Sequence, residues 1–197
     1  SGPVLGKGGF AVVKKATHKR TRVEYAVKII NVTSQPLGDD AMTLEEIAEE
    51  VRLTMSFSNV VNANVVKVFD FYVSPGNVYV VMELLTGGSL LDALTIEGCF
   101  SERKAAAVLH KLFTGLELIH GDAMAHRDLK LENLVFASKS FEKNPVNPRH
   151  QKKVVDLETL RIADFGLARK FVSARHRLTA RCGTPQYVGT CCAFPNL

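Results

Sequence analysis

No apolar run in this 197-residue chain approaches the ~20 residues that a membrane-spanning helix needs, so no membrane association is expected. The opening "SGPVLGKGGF" lacks the basic and apolar regions of a secretory signal, which makes a cytoplasmic location the expectation, with the nucleus as its alternative. Cysteine is scarce and badly spaced for metal or disulfide work. Cys191 and Cys192 are adjacent while Cys99 and Cys182 stand alone, so reduced, structural thiols are the reading. No internal repeat is evident. What remains is ordinary globular composition, 46% hydrophobic and 23% charged, with length enough for a sizeable core.

The net charge of +5 is unevenly spread. Lys139, Lys143, Arg149, Lys152 and Lys153 share a stretch with one acid, Glu142, and the run from Arg169 to Arg181 has bases and no acid. Such clusters suit phosphate, nucleic acid or an acidic protein face, but also plain solvated surface. Without interleaved aromatics to stack on bases, no nucleic-acid partner is expected.

The chain changes character along its length. "PVLG", "FAVVKKAT" and "RVEYAVKII" read as three strands of an antiparallel sheet, the first two joined through Gly6, Gly8 and Gly9. From Asp40 to Phe57, Leu44, Ile47, Ala48, Val51 and Met55 recur at helical spacing behind a capping Asp. "NVVKVFDFYV" and "NVYVVMELL" flank "SPG" as a hairpin, and Gly87-Gly88 breaks the chain. Ser101 then caps a long helix with Ala105, Val108, Leu109, Leu112, Leu116 and Ile119 on one stripe. "SKSFEKNPVNPRHQKK", with two prolines and no apolar periodicity, reads as a mobile surface insertion. The expectation is therefore an α+β chain, strand-rich over 1–85 and mainly helical over 86–197.

Several residues carry chemistry. The turn glycines let backbone N–H groups approach a phosphate, although a plain hairpin turn has the same sequence, and the missing third glycine and following strand argue against a dinucleotide site. Lys28, in "YAVKII", is either on a central strand, needing an acid from Glu45, Glu46, Glu49 or Glu50, or on an edge strand in water. "AHRDLKLENLV" gathers Asp128, Lys130 and Asn133, and "RIADFGLA" adds Asp164. Asp164 and the Asn133 amide are hard oxygen ligands suited to Mg²⁺, Asp128 is left to take or orient a hydroxyl proton, and Lys130 can neutralise a phosphoryl group in transit. Together they describe phosphoryl transfer.

"GKGGFAVV", "YAVK", "HRDLKLEN", "DFG" and "GTPQYV", in this order over about Val4 to Val188, resemble the eukaryotic protein kinase family, of Ser/Thr type and similar to its calcium/calmodulin-dependent group. The resemblance implies a two-lobed kinase fold: residues 1–85 an N-lobe with ATP-binding sheet and regulatory helix, 86–197 a partial C-lobe with catalytic loop, DFG segment and shortened activation segment. ATP and Mg²⁺ are the implied cofactors, and a protein Ser/Thr hydroxyl the acceptor. On the family's pattern, Leu5, Gly6, Lys7, Gly8 and Gly9 cover the phosphates, with Val13 against the adenine. Ala26, Met82, Glu83, Leu85 and Val135 complete the nucleotide pocket, with Met82 as gatekeeper. Lys28 would hold the α- and β-phosphates and pair with Glu50, Glu49 being the fallback. Asp128 resembles the catalytic base, assisted by Lys130, with Asn133 and Asp164 as metal ligands. Arg127 would meet a phosphate placed by an upstream kinase on Thr179, or on Ser173.

Three departures from the family pattern stand out. After "GTPQYV" the sequence reads "GTCCAFPNL" where an Ala-Pro-Glu motif and further helices are expected, which predicts apolar surface on the helix from Ser101 to His120. The insertion between Asn133 and Asp164 exceeds a tight hairpin. Ser89 stands where many such kinases carry an acid. The leading expectation is a MgATP-dependent protein kinase; the rivals are a nucleotide-binding but inactive interaction module and a basic nucleic-acid binder.

Overall fold

Alternating β-branched residues around glycine turns build the first half of the chain. The computed structural model describes residues 2–8, 11–33, 43–58, 60, 64–143, 151–171 and 182–189. Backbone contacts divide the chain into two compact units, Ser1–Val61 with Val66–Leu84, and Asn62–Val65 with Leu85–Leu197.

The first unit is a five-stranded antiparallel sheet and one helix. Strands β1 (Val4–Lys7), β2 (Ala11–Thr17), β3 (Glu24–Asn31), β4 (Val68–Ser74) and β5 (Asn77–Met82) lie in the order β1-β2-β3-β5-β4. Helix α1 (Leu44–Ser58) follows β3 in the chain. Its buried Ile47 and Val51 cluster with Val68, Val78 and Val80, with Ile30, Leu44, Met55 and Phe71 packed around them. The helical spacing read from the sequence is the face that meets the sheet. Gly76, at φ 79°, supplies the left-handed residue that the tight β4–β5 turn demands. One detail differs from expectation: Gly6 lies within β1, opposite Val13, so the turn begins after it.

The second unit starts with β6 (Gly88–Ser89) and helix α2 (Leu90–Glu97), which sequence periodicity did not reveal. Ser89 Oγ accepts the Asp92 N–H at 3.1 Å while the Asp92 carboxylate accepts the Ser89 N–H at 2.8 Å, a reciprocal cap. Ser89 is thus a helix-starting residue. Helix α3 (Glu102–Gly121) is capped by Ser101, as its sequence predicts. Val108, Gly115 and Ile119 are buried on it, whereas Leu109 (47% exposed) and Phe113 (61%) form an open apolar edge. Leu109 is therefore off the buried stripe to which its spacing assigns it. Gly115 has a packing reason, since a Cβ there would sit 2.9 Å from the Asn64 carbonyl oxygen and 2.7 Å from Ile162 Cδ1.

Short strands β7 (Met124–Ala125) and β8 (Leu134–Phe136) follow α3. Within the insertion expected to be a mobile surface segment, β9 (Lys139–Lys143) and β10 (Gln151–Val155) pair in an antiparallel register. Backbone hydrogen bonding, which needs no apolar alternation, orders the ribbon. Residues 144–150 lie outside the described residues. Strand β11 (Leu160–Ile162) pairs with β8, which also pairs with β6, and β12 (Arg169–Lys170) pairs with β7. Buried Val65 bridges to Ile162, and the Asn64 amide donates to the Leu160 carbonyl at 3.0 Å, tying residues 64 and 65 to this unit. No described helix is long and apolar enough to cross a membrane.

Candidate active site

Strand pairing explains how residues far apart in sequence become neighbours. β8 opposes Leu134 to Ile162, so the residues just beyond each strand also meet: the Ala163 N–H donates to the Asn133 carbonyl at 2.8 Å. Asn133 closes a 3-10 turn, Leu131–Asn133, and its buried amide nitrogen donates to the Asp128 carbonyl at 2.8 Å and to Asp128 Oδ2 at 3.2 Å. Asp164 follows Ala163 directly, at φ 61°, and its Oδ1 accepts the Gly166 N–H at 3.3 Å. Asp128, Asn133 and Asp164, nominated from two separate motifs, are thereby assembled in one unit.

Asp128 sits in a charged, mostly buried knot. Lys130 Nζ lies 2.8 Å from Asp128 Oδ2, with 11% of the Asp128 side chain and 20% of that of Lys130 exposed. Thr184 Oγ1 donates to Asp128 Oδ1 at 2.7 Å and accepts from Lys130 Nζ at 2.7 Å. Burial by itself would raise the Asp128 carboxyl. Hydrogen bonds from Lys130 and Thr184, the Lys130 charge and the Asn133 amide together outweigh it and hold that carboxyl below its ordinary value. Lys130 moves the opposite way: its hydrogen bond to Asp128 raises it against desolvation, helped by the charges of Asp128, Glu132 and Asp164. Both directions keep the pair ionised.

A second layer holds the loop in place. His126 is 2% exposed; its Nδ1 accepts the Asp128 N–H at 3.3 Å, so its Nε2 carries the proton and donates to the Ala163 carbonyl at 2.9 Å. Its ring packs edge-on to Phe165, centroids 4.9 Å apart. One imidazole thus couples the loop of Asp128 to the segment of Asp164. Arg127, at φ 64°, donates Nε–H to the Leu167 carbonyl at 2.6 Å. Gly183, at φ 109°, comes so close that a Cβ would stand 3.0 Å from the Arg127 carbonyl oxygen, and this approach delivers Thr184 to Asp128. Tyr187 Oη donates to Glu132 at 3.3 Å, a further tie between the two segments. Thr179 and Ser173 lie outside the described residues.

In the first unit, register gathers several nominated residues on one sheet face. Lys28 opposes Val13 on one side and Val80 on the other, and Ala26 opposes Lys15 and Met82. Val13, Ala26, Lys28 and Met82 therefore share a face, with Ala26 only 5% exposed. β3 lies between β2 and β5, which removes the edge-strand alternative for Lys28. Gly6 opposes Val13, and the Gly8 N–H donates to the Ala11 carbonyl at 2.8 Å, closing the turn. Leu5, Lys7 and Gly8 are exposed, and Gly9 lies outside the described residues. Glu49 is exposed and pairs with Arg52 at 3.3 Å; Glu50 is on α1, but its side chain is not among those described. The Glu83 N–H donates to the Lys67 carbonyl at 2.9 Å while its carboxylate accepts the Lys67 N–H at 2.7 Å. Val135, in the second unit, is half-buried between buried Leu134 and Phe136, on the opposite face of β8.

The donor set fits Mg²⁺ carried by a nucleotide. Among the described residues no group of three or more His, Cys, Asp or Glu side chains forms a metal cage. Asn133 turns its amide nitrogen to Asp128, and its side-chain oxygen and the Asp164 carboxylate are the hard oxygen groups of the set. Mg²⁺ needs few protein ligands because it keeps waters and binds phosphate oxygens.

An antiparallel five-stranded sheet with one helix, and a second unit of two helices and short strands bearing this Asp-Lys-Asn loop, define a protein kinase-like α+β fold; among the described residues that second unit is less helical than the sequence suggests. The protein kinase domain family model matches residues 1–190, and the chain belongs to that family. It is similar to ribosomal protein S6 kinase alpha-2 of Mus musculus, 32% identical over 93% of this chain and 22% of that protein. It also resembles calcium/calmodulin-dependent protein kinase type I of Schizosaccharomyces pombe, 33% identical over 95% of this chain and 50% of that protein. The chain thus spans between about a fifth and a half of the length of these relatives. Sequence reasoning quoted "GTPQYV" and "HRDLKLEN" without giving Thr184 or His126 a task; their signal was their place within those motifs, but only the folded geometry shows what each touches.

Proposed function

We propose that this chain is a protein serine/threonine kinase, transferring the γ-phosphoryl group of MgATP to a protein hydroxyl. The observation that carries the reading is the Thr184 hydroxyl lying on Asp128 Oδ1 at 2.7 Å. It is an alcohol in the position and at the distance at which a carboxylate takes up or orients a hydroxyl proton. Asp128 is the proposed base, and its depressed carboxyl keeps it ionised to do so. Lys130, at 2.8 Å, steadies that carboxylate and supplies positive charge beside the acceptor oxygen.

When bound, MgATP brings the electrophilic phosphorus and a cation that offsets phosphate charge. For it the proposal assigns Asn133 and Asp164 to the metal, Lys28 with Glu50 to the phosphates, and the face of Val13, Ala26 and Met82, with Val135 and the Glu83–Leu85 backbone, to the base. The kinase names of the relatives support the assignment. An upstream kinase acting on Thr179 belongs to the same proposal, supported by the bases around it.

The test is γ-phosphate transfer to a Ser-containing basic peptide by the wild type and Asp128→Asn. The variant should lose about 10²–10⁴-fold in kcat, with MgATP still raising its thermal midpoint. Equal rates for the two proteins would refute the base assignment. Nucleotide stabilisation without transfer in the wild type would instead establish a binding-only module.

A further inference from the structure

Helix α3 has a second regular face, opposite the buried one. Val108, Gly115 and Ile119 mark the buried side. Arg103, Ala106, His110, Phe113, Glu117 and His120, at alternating spacings of three and four residues, are all exposed. At about 100° per residue they fall in one stripe, roughly half a turn from the buried side. Leu109, 47% exposed, borders that stripe beside Phe113, which is 61% exposed. A helix face meant for water carries polar residues along its middle. Here an aromatic ring, a leucine and an alanine lie in the middle, and the charges stand at the two ends: Glu102 and Arg103 at one, Glu117 and His120 at the other. Among the described residues the ion pairs of α3 are Lys104 with Glu97 and Lys111 with Glu158, and neither uses Arg103 or Glu117.

We infer that this face is the contact between two copies of the chain, which pair antiparallel along α3 about a two-fold axis at Leu109 and His110. A two-fold interface must match its own patch reversed. Reversing α3 about that point sets Phe113 opposite Ala106, the one large apolar side chain of the stripe against its smallest, and brings Leu109 to Leu109 beside the axis. The same reversal sets Arg103 opposite Glu117 and Glu102 opposite His120, on the two flanks of the contact. Arg103 and Glu117 are about 21 Å apart along the helix, so acid meets base at both ends at once. A parallel pair would instead put Arg103 against Arg103 and Glu117 against Glu117. Other occupants fit less well, because a nucleic-acid strand, an anionic membrane or a peptide of one sign meets its own charge somewhere on this face. One helix pair is a small interface, so the association is weak and governed by concentration. None of these residues belongs to the proposed transfer site, and the pairing stands apart from that reading.

Sedimentation velocity of the full chain, from about 1 to 300 µM, reads the equilibrium directly. Reducing conditions keep the exposed Cys99 from linking copies. The wild type should move from monomer towards dimer over that range, and Phe113→Ala should weaken pairing about tenfold or more. Arg103→Glu alone and Glu117→Arg alone should each weaken it about tenfold, since each sets like charges together at both ends. An equimolar mixture of these two variants restores acid to base at both ends and should pair within about threefold of wild type. That rescue also separates lost pairing from lost folding, because a misfolded variant cannot be rescued by the other. A monomer at every concentration overturns the inference, whether the face stays open or another part of the chain covers it. So does a dimer that is indifferent to Phe113→Ala, or a mixture no better than either variant alone.

Discussion

Thr184→Ala removes one hydroxyl that bridges two opposite charges, and its cost can be worked from the geometry. The hydroxyl donates to Asp128 and accepts from Lys130, both at 2.7 Å. A hydrogen bond to a charged group contributes about 1.5–3 kcal/mol. Lys130 and Asp128 keep their direct contact at 2.8 Å, and Asn133 still donates to Asp128, so the loss should fall near the lower end, about 2 kcal/mol in all. That corresponds to a fall of roughly 4–8 °C in the thermal midpoint for a chain of this size. The effect has a pH signature. Asp128 is held below the ordinary carboxyl value near ~3.9, so its contribution to stability is complete above that value and is lost as pH falls through the folded one. Thr184 is one cause of the depression, so the variant's carboxyl rises and it has less stability to lose in acid. The wild-type advantage, read from urea unfolding between pH 3 and 7, should be largest at neutral pH and shrink below about pH 4. Thr184→Ser keeps the hydroxyl and should restore most of it. A gap that stays constant with pH, or a serine variant as weak as the alanine one, would refute the bridge. In the transfer assay the same substitution should lower kcat more than it changes KM for ATP.

His126→Ala should cost about 2–4 kcal/mol in urea unfolding, because it opens a cavity and strips partners from the Asp128 N–H and the Ala163 carbonyl. Gly115→Ala should destabilise by about 1–3 kcal/mol despite alanine's better helix propensity, since its Cβ meets the Asn64 backbone oxygen at 2.9 Å; a thermal midpoint at or above wild type would contradict this. Ser89→Ala should cost about 1 kcal/mol through loss of the α2 cap, while Ser89→Asp should cost far less, because Asp is an equally good capping residue. Lys130, raised mainly by its bond to Asp128, contributes stability below about pH 10.4 that disappears as pH rises through its folded value, so Lys130→Met should flatten the alkaline limb of the stability curve.

The elements with a strong local signal were legible. β3 and the β4–β5 hairpin show β-branched runs bounded by turn residues, α1 shows helical spacing, and α3 carries Ser101 in front of its first turn. Two elements escaped. α2 is short and its start is defined by a reciprocal Ser89–Asp92 bond just after a Gly-Gly break, which weakens any periodic signal. The β9–β10 ribbon is mostly polar and charged, with Phe141, Val154 and Val155 in no regular apolar alternation, so its sequence resembles a solvated loop until its backbone pairing is seen. Leu109 fits the helical stripe by spacing, yet it lies about 100° around α3 from buried Val108, which leaves it in water.

By itself the sequence determined the identity and order of the chemical parts: a glycine turn, Lys28 in an apolar strand, the Asp128-Lys130-Asn133 loop and Asp164. Local propensity and side-chain chemistry are written in consecutive residues, and they need no distant partner to be read. Only the tertiary structure decided that β8 and β11 pair in the register that seats Asn133 against Ala163, that His126 bridges to Phe165, and that Thr184 reaches Asp128. Those contacts join segments far apart along the chain, and their geometry follows from strand register and packing, which no local pattern encodes.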